Sequence, residues 1–488
     1  MEKGITKNQI LSELSRSPHG KLAEYVDMGQ KALRQEPEFF AHLIAWDHKN
    51  GQVRDAKVAL PVVSLSTPGF HPEFVDNSLA HLALLGPREL LKAFRFSLEL
   101  RLPGRMRAMR RLVEDYLRER EANWSKWERI AIQHKRTLKE LYALAHVKPA
   151  DRQNAVLFKG EHPAGSLFEV VAQLKDMAPA EAAGTIMEKK IPFLIAMGAL
   201  GKKAQEPDLV MALISRMSPT ELVTNTKLLE RLGIKTNPVL RGAFEKALEK
   251  ASKGKTNILK TTRAAEAMDD ESLKEKLRGV QEKQIAALGG VEGNWLVLGD
   301  KSGSMKESIK VAVEVAGTLS KMVKGKVWLV FFNTSPQSID VTGMSLDKIK
   351  VATRHITANG GTSIGCGLQR MLDSKEEIDG IAIVSDGEEN TAPMFPQVYK
   401  KYAEWAGKEV PVYLYHCDGG SPSLPQTMAA AHIDLQVFEL GGNVDYYSLP
   451  NMVNTMRTCR YSLVDEIMAT KLLKLTDVLK HKAKMAAA

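Results

Sequence analysis

The chain has 488 residues, 68 Lys plus Arg against 58 Asp plus Glu, and a formal net charge of +10. At roughly 100–200 residues per domain that is room for two to four domains with real cores, which excludes a small stapled peptide or a disordered tail. Apolar residues at 44% and charged residues at 26% suit a globular chain. The longest nearly unbroken apolar stretch, Ile191 to Gly201, falls far short of the roughly 20 residues that span a bilayer, and the opening MEKGITKNQI has no apolar signal core. Cys366, Cys417 and Cys459 are odd in number and lack metal-ligand spacing. Reduced thiols in a soluble, cytoplasmic protein are therefore expected. The charge is unevenly divided: residues 1–290 hold 47 basic and 36 acidic side chains, residues 291–488 hold 21 and 22. Within the first part, residues 101–150 carry 13 Lys/Arg against 6 Asp/Glu, a surplus that would concentrate a polyanion at the surface or merely solvate helix faces.

In chain order, the first 290 residues read as helix after helix. Apolar residues recur at three- and four-residue spacing in EFFAHLIAWDHK, RDAKVALPVV, FVDNSLAHLALLG, RELLKAFRFSLELR, MRAMRRLVEDYLRERE, LFEVVAQL, DLVMALISRM, ELVTNTKLLERL and LRGAFEKALEKA. Pro37, Pro72, Pro87, Pro179, Pro207, Pro219 and Pro238 each stand just ahead of such a segment, where the missing N–H costs nothing and the fixed φ suits a first turn. Short helices with shorter connections pair antiparallel and bury their apolar stripes by stacking, which predicts an all-α solenoid, although no fixed repeat period is visible. Residues 252–290 read as one or two last helices and a Gly-rich joint.

Beyond it the periodicity changes. WLVLGD, KVWLVFFN, GIAIVSD, VPVYLYHC and LQVFELG are short apolar, partly β-branched runs, alternating with the helical stretches SIKVAVEVAGTLSKMVK, LQRML, YKKYAEWAG and LPQTMAAAHI. This alternation predicts an α/β doubly wound parallel sheet, whose ligands bind at the carboxyl ends of its strands. SLVDEIMATKLLKLTDVLKHKAKMAAA then reads as an amphipathic helix with a basic end. The expected division is 1–290 helical, 291–455 sheet domain and 456–488 C-terminal helix and tail.

At the end of the first strand stands Asp300-Lys301-Ser302-Gly303-Ser304-Met305. Alternate oxygen-bearing side chains on a tight turn can converge on one hard cation, although the same string also suits an ordinary strand-to-helix turn with Ser304 near an N-cap. Two further stretches fall at the same predicted edge: NGGTSIG, which places Thr362 in a Gly-rich loop before a helix, and IAIVSDG, which places Asp386 just after a strand. Over residues 291–450 the three motifs and their order resemble the von Willebrand factor A domain with its metal-ion-dependent adhesion site. The resemblance implies that Asp300, Ser302 and Ser304 ligate Mg²⁺, in preference to Mn²⁺, with Thr362 and Asp386 contributing directly or through water. Independently, Mg²⁺ at about 2.1 Å prefers oxygen, keeps waters and needs few carboxylates. A water-filled position then suits a carboxylate from an acidic protein ligand, so the site reads as a docking point. Lys301 at the variable position would weaken the cation's affinity.

Gly361-Thr362-Ser363-Ile364-Gly365 also fits the hydrolase pattern GxSxG, with Asp386 and His416 or His432 behind Ser363. A nucleophile elbow needs a strand running straight into the turn, and ATRHITANGG reads as helix and then loop. No enzyme activity is therefore expected.

The stretch RIAIQHKRTLKELYALAHVKP, residues 129–149, resembles the signature of the TROVE module of the Ro autoantigen family, whose members join a ring of HEAT-like helical repeats to a von Willebrand A domain. SPTELVTNTKLLERLG at 218–233 resembles a second family stretch, with Thr224-Asn225 in place of Arg-Asn. The resemblance implies binding of small structured noncoding (Y-like) RNA on an outer basic surface and of single-stranded 3′ ends of misfolded RNA through the ring, by a protein monomeric apart from its RNA. His146 in AHVKP carries over; upstream, an ungapped match uses Arg129 and a shifted one Lys135 and Arg136. Lys139 and Lys148 on the same stretch, and Arg105, Arg107, Arg110 and Arg111 before it, complete the candidate RNA contacts. The alternatives are a C-cap role for His146 and a solvated helix face for the arginines. The rival function is a metal-dependent interaction scaffold or assembly subunit without RNA; no GxxxxGK[ST] loop occurs, so an ATPase would be a separate chain.

Overall fold

A computed structural model describes residues 22–51, 53–67, 71–102, 104–251, 270–287, 291–417, 423–440 and 460–487, together with Lys7, Ile10, Leu11, Thr261, Ala264, Ala265 and Ala267. Cys459 and parts of the stretch 252–290, including its Gly-rich end at 288–290, lie outside them. The chain groups into two compact units, residues 1–56 with 285–470 and residues 57–284 with 471–488.

The helical series runs α1 Glu24–Gln35, α2 Pro37–Asn50, α3 Arg54–Ser66, α4 Pro72–Ala83, α5 Pro87–Glu99, α6 Met106–Glu121, α7 Trp124–Ala145, α8 Leu167–Gln173, α9 Pro179–Glu188, α10 Phe193–Leu200, α11 Pro207–Arg216, α12 Pro219–Thr224, α13 Pro238–Ala251 and α14 Glu271–Ala287. All seven prolines singled out in the sequence open a helix. Side chains also close N-termini: Asn123 Oδ1 accepts from Lys126 N at 3.0 Å ahead of α7, and at α12 Ser218 with Glu221 forms a reciprocal box beside Pro219. In the helical unit, α6 packs on α7, α9 on α11, and both α11 and α12 on α13. Two apolar clusters follow one another along the chain, one around Ile186, Phe193 and Leu209, the next around Val210, Leu229 and Phe244. Met197, Met217 and Leu228 pack against both, so the core runs on from one set of helices to the next, as stacked repeats require.

ELVTNTKLLERL is not one helix. α12 stops at Thr224, a single turn Thr226–Leu229 follows, and Glu230–Ile234 is π-helical around Gly233 at φ 103°. Three successive side chains drive the break. Thr224 Oγ1 donates to Thr220 O, Asn225 Nδ2 to Glu221 O, and Thr226 Oγ1 to Leu222 O and Val223 O, all competing with the backbone ladder.

The other unit is built on a six-stranded sheet: β1 Trp295–Asp300, β2 Val327–Phe332, β3 Pro336–Asp340, β4 Gly380–Ser385, β5 Val412–Cys417 and β6 Leu435–Leu440, in the order β3-β2-β1-β4-β5-β6. All pairs are parallel except β2 with β3. The helices among the strands are α15 Lys306–Met322, α16 Leu346–Thr353, α17 Ile364–Asp373, α18 Phe395–Ala406 and α19 Leu424–Ala430. Each of β1, β2, β4 and β5 is buried along its whole length, because helices cover both faces. Leu296, Leu298, Val330, Ile381 and Ile383 meet α17 and α18 on one face, while α15 packs on β1, β2 and β4. Gly299 permits that second approach: a Cβ there would lie 2.7 Å from Ala312 Cβ.

Two further helices end the chain, α20 Arg460–Met468 and α21 Leu475–Ala487. In the sheet-bearing unit α20 packs on α2, where His42 Nδ1 donates to Thr470 O at 2.7 Å and Trp46 Nε1 to Glu466 Oε1 at 2.9 Å. In the helical unit α21 packs on α4, and Leu473 N donates to buried Asn77 Oδ1 at 2.9 Å. These groupings run across positions 290 and 455, where the composition of the sequence changes. Among the described residues no helix is long and apolar enough to cross a membrane.

Candidate metal centre and basic surface

The sheet order makes the site. From β1 the chain steps to β2 on one side and later to β4 on the other, so the crossover direction reverses between β1 and β4, and a crevice opens at their carboxyl ends. Asp300 ends β1 and Asp386 follows β4, in strands paired Gly299 to Val384. Three loops meet there. Asn359 N donates to Lys301 O at 2.8 Å and Gly303 N to Gly360 O at 3.2 Å, joining the first loop to the second. Asn390 N and Thr391 N donate to Thr362 O, and Thr362 N donates back to Asn390 Oδ1, joining the second to the third.

Within this frame Asp300 is fully buried. Its Oδ1 accepts from Ser302 N at 2.8 Å and its Oδ2 from Ser385 Oγ at 2.6 Å. Burial pushes its carboxyl up to about 6; the bonds from Ser385 and Ser302 pull the other way, and the charge of Asp386 adds to the rise. A buried carboxylate facing a second carboxylate is relieved by a cation between them. Ser302 and Thr362 are buried, Ser304 is exposed and Asp386 half-buried, so the donors run from the core of the turn to solvent. Among the described residues there is no cluster of three or more His, Cys, Asp and Glu. The donor set is instead two carboxylates and three hydroxyls, which suits a hard, oxygen-seeking ion. Ser385 and Asn390 are additions of the structure; in the sequence Ser385 is visible only as the residue before Asp386 in IAIVSDG.

Ser363 is occupied otherwise. It caps α17, its Oγ accepting from Cys366 N at 3.3 Å and donating to Pro393 O at 2.9 Å, and it is fully buried. The residues that lead into it from Arg354 are turn and loop, not strand. His416 sits on β5 and His432 follows α19 at φ 60°. Cys366 and Cys417 are buried thiols outside any disulfide.

The candidates on the helical unit fall into groups. Arg105 Nη1 donates to Ser64 O and Leu65 O at 3.3 and 3.2 Å, holding the last carbonyls of α3, and burial lowers its guanidinium from the usual value. Arg107, Arg110 and Arg111 are exposed on α6. α7 kinks at His134 (φ −129°), which separates Arg129 from Lys135, Arg136 and Lys139. Arg136 is exposed; Lys135 is half-buried, its ammonium lowered by burial and by Lys139. Lys139 Nζ stands 5.5 Å from the centre of the Phe158 ring. His146 takes the left-handed position after α7 (φ 58°) with its side chain exposed, and Lys148 is exposed nearby. The C-cap reading of His146 therefore holds without removing the imidazole from solvent.

One gathering is invisible in the sequence. Arg129 Nη1 donates to Lys189 O and Arg216 Nη2 to Lys190 O, each at 3.4 Å, so the turn after α9 collects four cations from three separated segments. Lys189 also pairs with Glu188 in solvent at 2.8 Å.

The two units define a helical-repeat protein carrying a von Willebrand A-type domain. No protein-family model matches the sequence, and no curated protein matches it. Among solved structures, the Ro (RSR) protein of Deinococcus radiodurans aligns over 92% of this chain and 99% of that one, with a TM-score of 0.65 and 14% identity. The conserved hypothetical protein BatB of Bacteroides thetaiotaomicron aligns over 36% of this chain and 100% of that one at 16% identity, but nothing rests on its TM-score of 0.27. The resemblance to the Ro family read from the sequence is thus matched by the fold, helical repeats first and sheet second.

Proposed function

We propose that the chain is a Ro-like, cytoplasmic RNA-binding protein without enzyme activity, monomeric apart from its RNA, which holds small structured noncoding RNA and single-stranded 3′ ends for RNA quality control. The gathering of Arg129, Lys189, Lys190 and Arg216, in a chain with the fold of a Ro protein, carries this reading. Each arginine spends one N–H on a backbone carbonyl and keeps other donors for phosphate oxygens. Exposed Arg107, Arg110, Arg111, Arg136 and Lys148 extend the basic surface, and exposed His146 can stack on or hydrogen-bond a base.

In the same proposal Asp300, Ser302, Ser304, Thr362 and Asp386 hold one divalent cation, Mg²⁺ in preference to Mn²⁺. The bound ion supplies a Lewis-acidic point to which a carboxylate of an acidic protein ligand docks. The chain's own part is to keep Asp300 ionised and aimed through Ser302 N and Ser385 Oγ. The RNA reading is tested by fluorescence anisotropy with a labelled oligouridylate over a range of KCl concentrations. If about six phosphates are neutralised, log affinity falls with log salt at a slope near −4. A flat dependence overturns it.

A further inference from the structure

Beside the first metal loop, a groove of about 630 Å³ lies between α15 and the segment from α16 to Ala358, large enough for more than one side chain. Ile309, Val313 and Ile356 line it. Val313 and Ile356 are buried, so they form an aliphatic floor. Lys306, Lys310, Lys350 and Arg354 line it too and are exposed, which makes them the rim, against Glu314 as the acidic member.

Three features give this groove a preference. Lys310 pairs with Glu307 at 2.8 Å in solvent, whereas Lys306, Lys350 and Arg354 pair with no acid among the described residues. Lys306 opens α15, at the positive end of the helix dipole, where a cation is destabilising and an incoming anion is favoured. The lining contains no aromatic ring, the platform on which nucleic-acid bases stack. A rim with three cations that pair with no acid among the described residues, over an aliphatic floor, matches carboxylates interleaved with aliphatic side chains. We propose that the groove binds an acidic peptide segment of a partner protein, with an aliphatic side chain on Val313 and Ile356 and carboxylates on Lys306, Lys350 and Arg354. Gly303 belongs both to the groove and to the metal loop, so such a segment reaches the candidate cation site without depending on the ion.

The test is fluorescence anisotropy on the full chain, freed of RNA at high salt, with a labelled peptide of three Glu-Ile-Glu-Gly repeats. Binding should weaken at least about tenfold in the double variant Lys350→Glu/Arg354→Glu. It should weaken about tenfold or more when Ser replaces Ile in the peptide, and should stand unchanged in EDTA. Both rim residues are exposed, so an unchanged thermal unfolding midpoint checks the fold, and Lys306→Ala, at a third rim position, must also weaken binding. Equal affinity for the Ser peptide, or indifference to all these substitutions, overturns the proposal. Loss in EDTA also overturns it by moving the contact to the cation, while leaving the metal reading intact. An oligouridylate that loses affinity in the double variant when the peptide does not assigns the groove to RNA instead.

Discussion

The two candidate sites are fixed in different ways. Every donor near Asp300 stands at the end of a buried parallel strand or in a loop tied to it, so pairing of β1 with β2 and β4 sets its position to within a hydrogen bond. Most candidate cations of the helical unit stand on exposed surface, and a few, Arg129, Arg105 and Arg216 among them, are held by backbone carbonyls. A register built in a core gives a small, preformed centre. Exposed helices give a broad electrostatic surface whose strength is a sum over many weak contacts.

Neutralising four cations tests this contrast most severely. The variant Arg129→Gln/Lys189→Gln/Lys190→Gln/Arg216→Gln should lower affinity for single-stranded RNA about 10²- to 10³-fold near 0.1 M salt and reduce the salt slope by about 3. Arg107→Gln/Arg110→Gln/Arg111→Gln should reduce it by about 2 if α6 touches phosphate. An unchanged slope in both would leave the helical unit without a nucleic-acid surface. Next in size is the cation. Mn²⁺ at about a hundred times its Kd should stabilise the protein by about 2.7 kcal/mol in a thermal shift assay. Asp300→Asn should abolish that gain, and Thr362→Ala should reduce it. A shift that persists in Asp300→Asn would place the ion elsewhere.

Arg105 tests the boundary between the two kinds of site. Its side chain holds the last carbonyls of α3, so Arg105→Ala should cost about 1.5–2 kcal/mol of stability, as loss of a charged hydrogen bond does. The RNA salt slope should stay where it was. A slope reduced by about 0.7 with stability unchanged would return Arg105 to the phosphate contacts.

What was legible in the sequence follows the same line. The runs WLVLGD, GIAIVSD and VPVYLYHC lie on the strands they predicted, because a strand buried on both faces must be apolar throughout. β3, PQSID, was missed: it is a mostly exposed antiparallel edge, with no apolar pattern to mark it. The break at Thr224-Asn225-Thr226 was hidden under a helical apolar period, since polar side chains returning to their own carbonyls leave that period intact. The five metal-site candidates could be named because each sits in a local motif at a strand end or in a Gly-rich loop. Lys189, Lys190 and Arg216 were not, since their meeting with Arg129 depends on how α7, α9 and α11 pack.

Ser363 carries the smallest effect and the cleanest decision between chemistry and architecture. The pattern GxSxG asks for an exposed nucleophile; the structure buries this hydroxyl as the cap of α17 and commits it to Cys366 N and Pro393 O. Glu389 stands beside it with Oε1 accepting from Gly365 N, so the same helix end receives a second acceptor and does not depend on Ser363 alone. Ser363→Ala should therefore cost about 1 kcal/mol, the usual loss of an N-cap, read as a lowered unfolding midpoint. Because Thr362 is held through its backbone by Asn390, its hydroxyl should keep its place, and the Mn²⁺-induced thermal shift should survive in the variant. Loss of an esterase activity in Ser363→Ala, with stability unchanged, would instead make this hydroxyl a nucleophile and return the loop to hydrolytic chemistry.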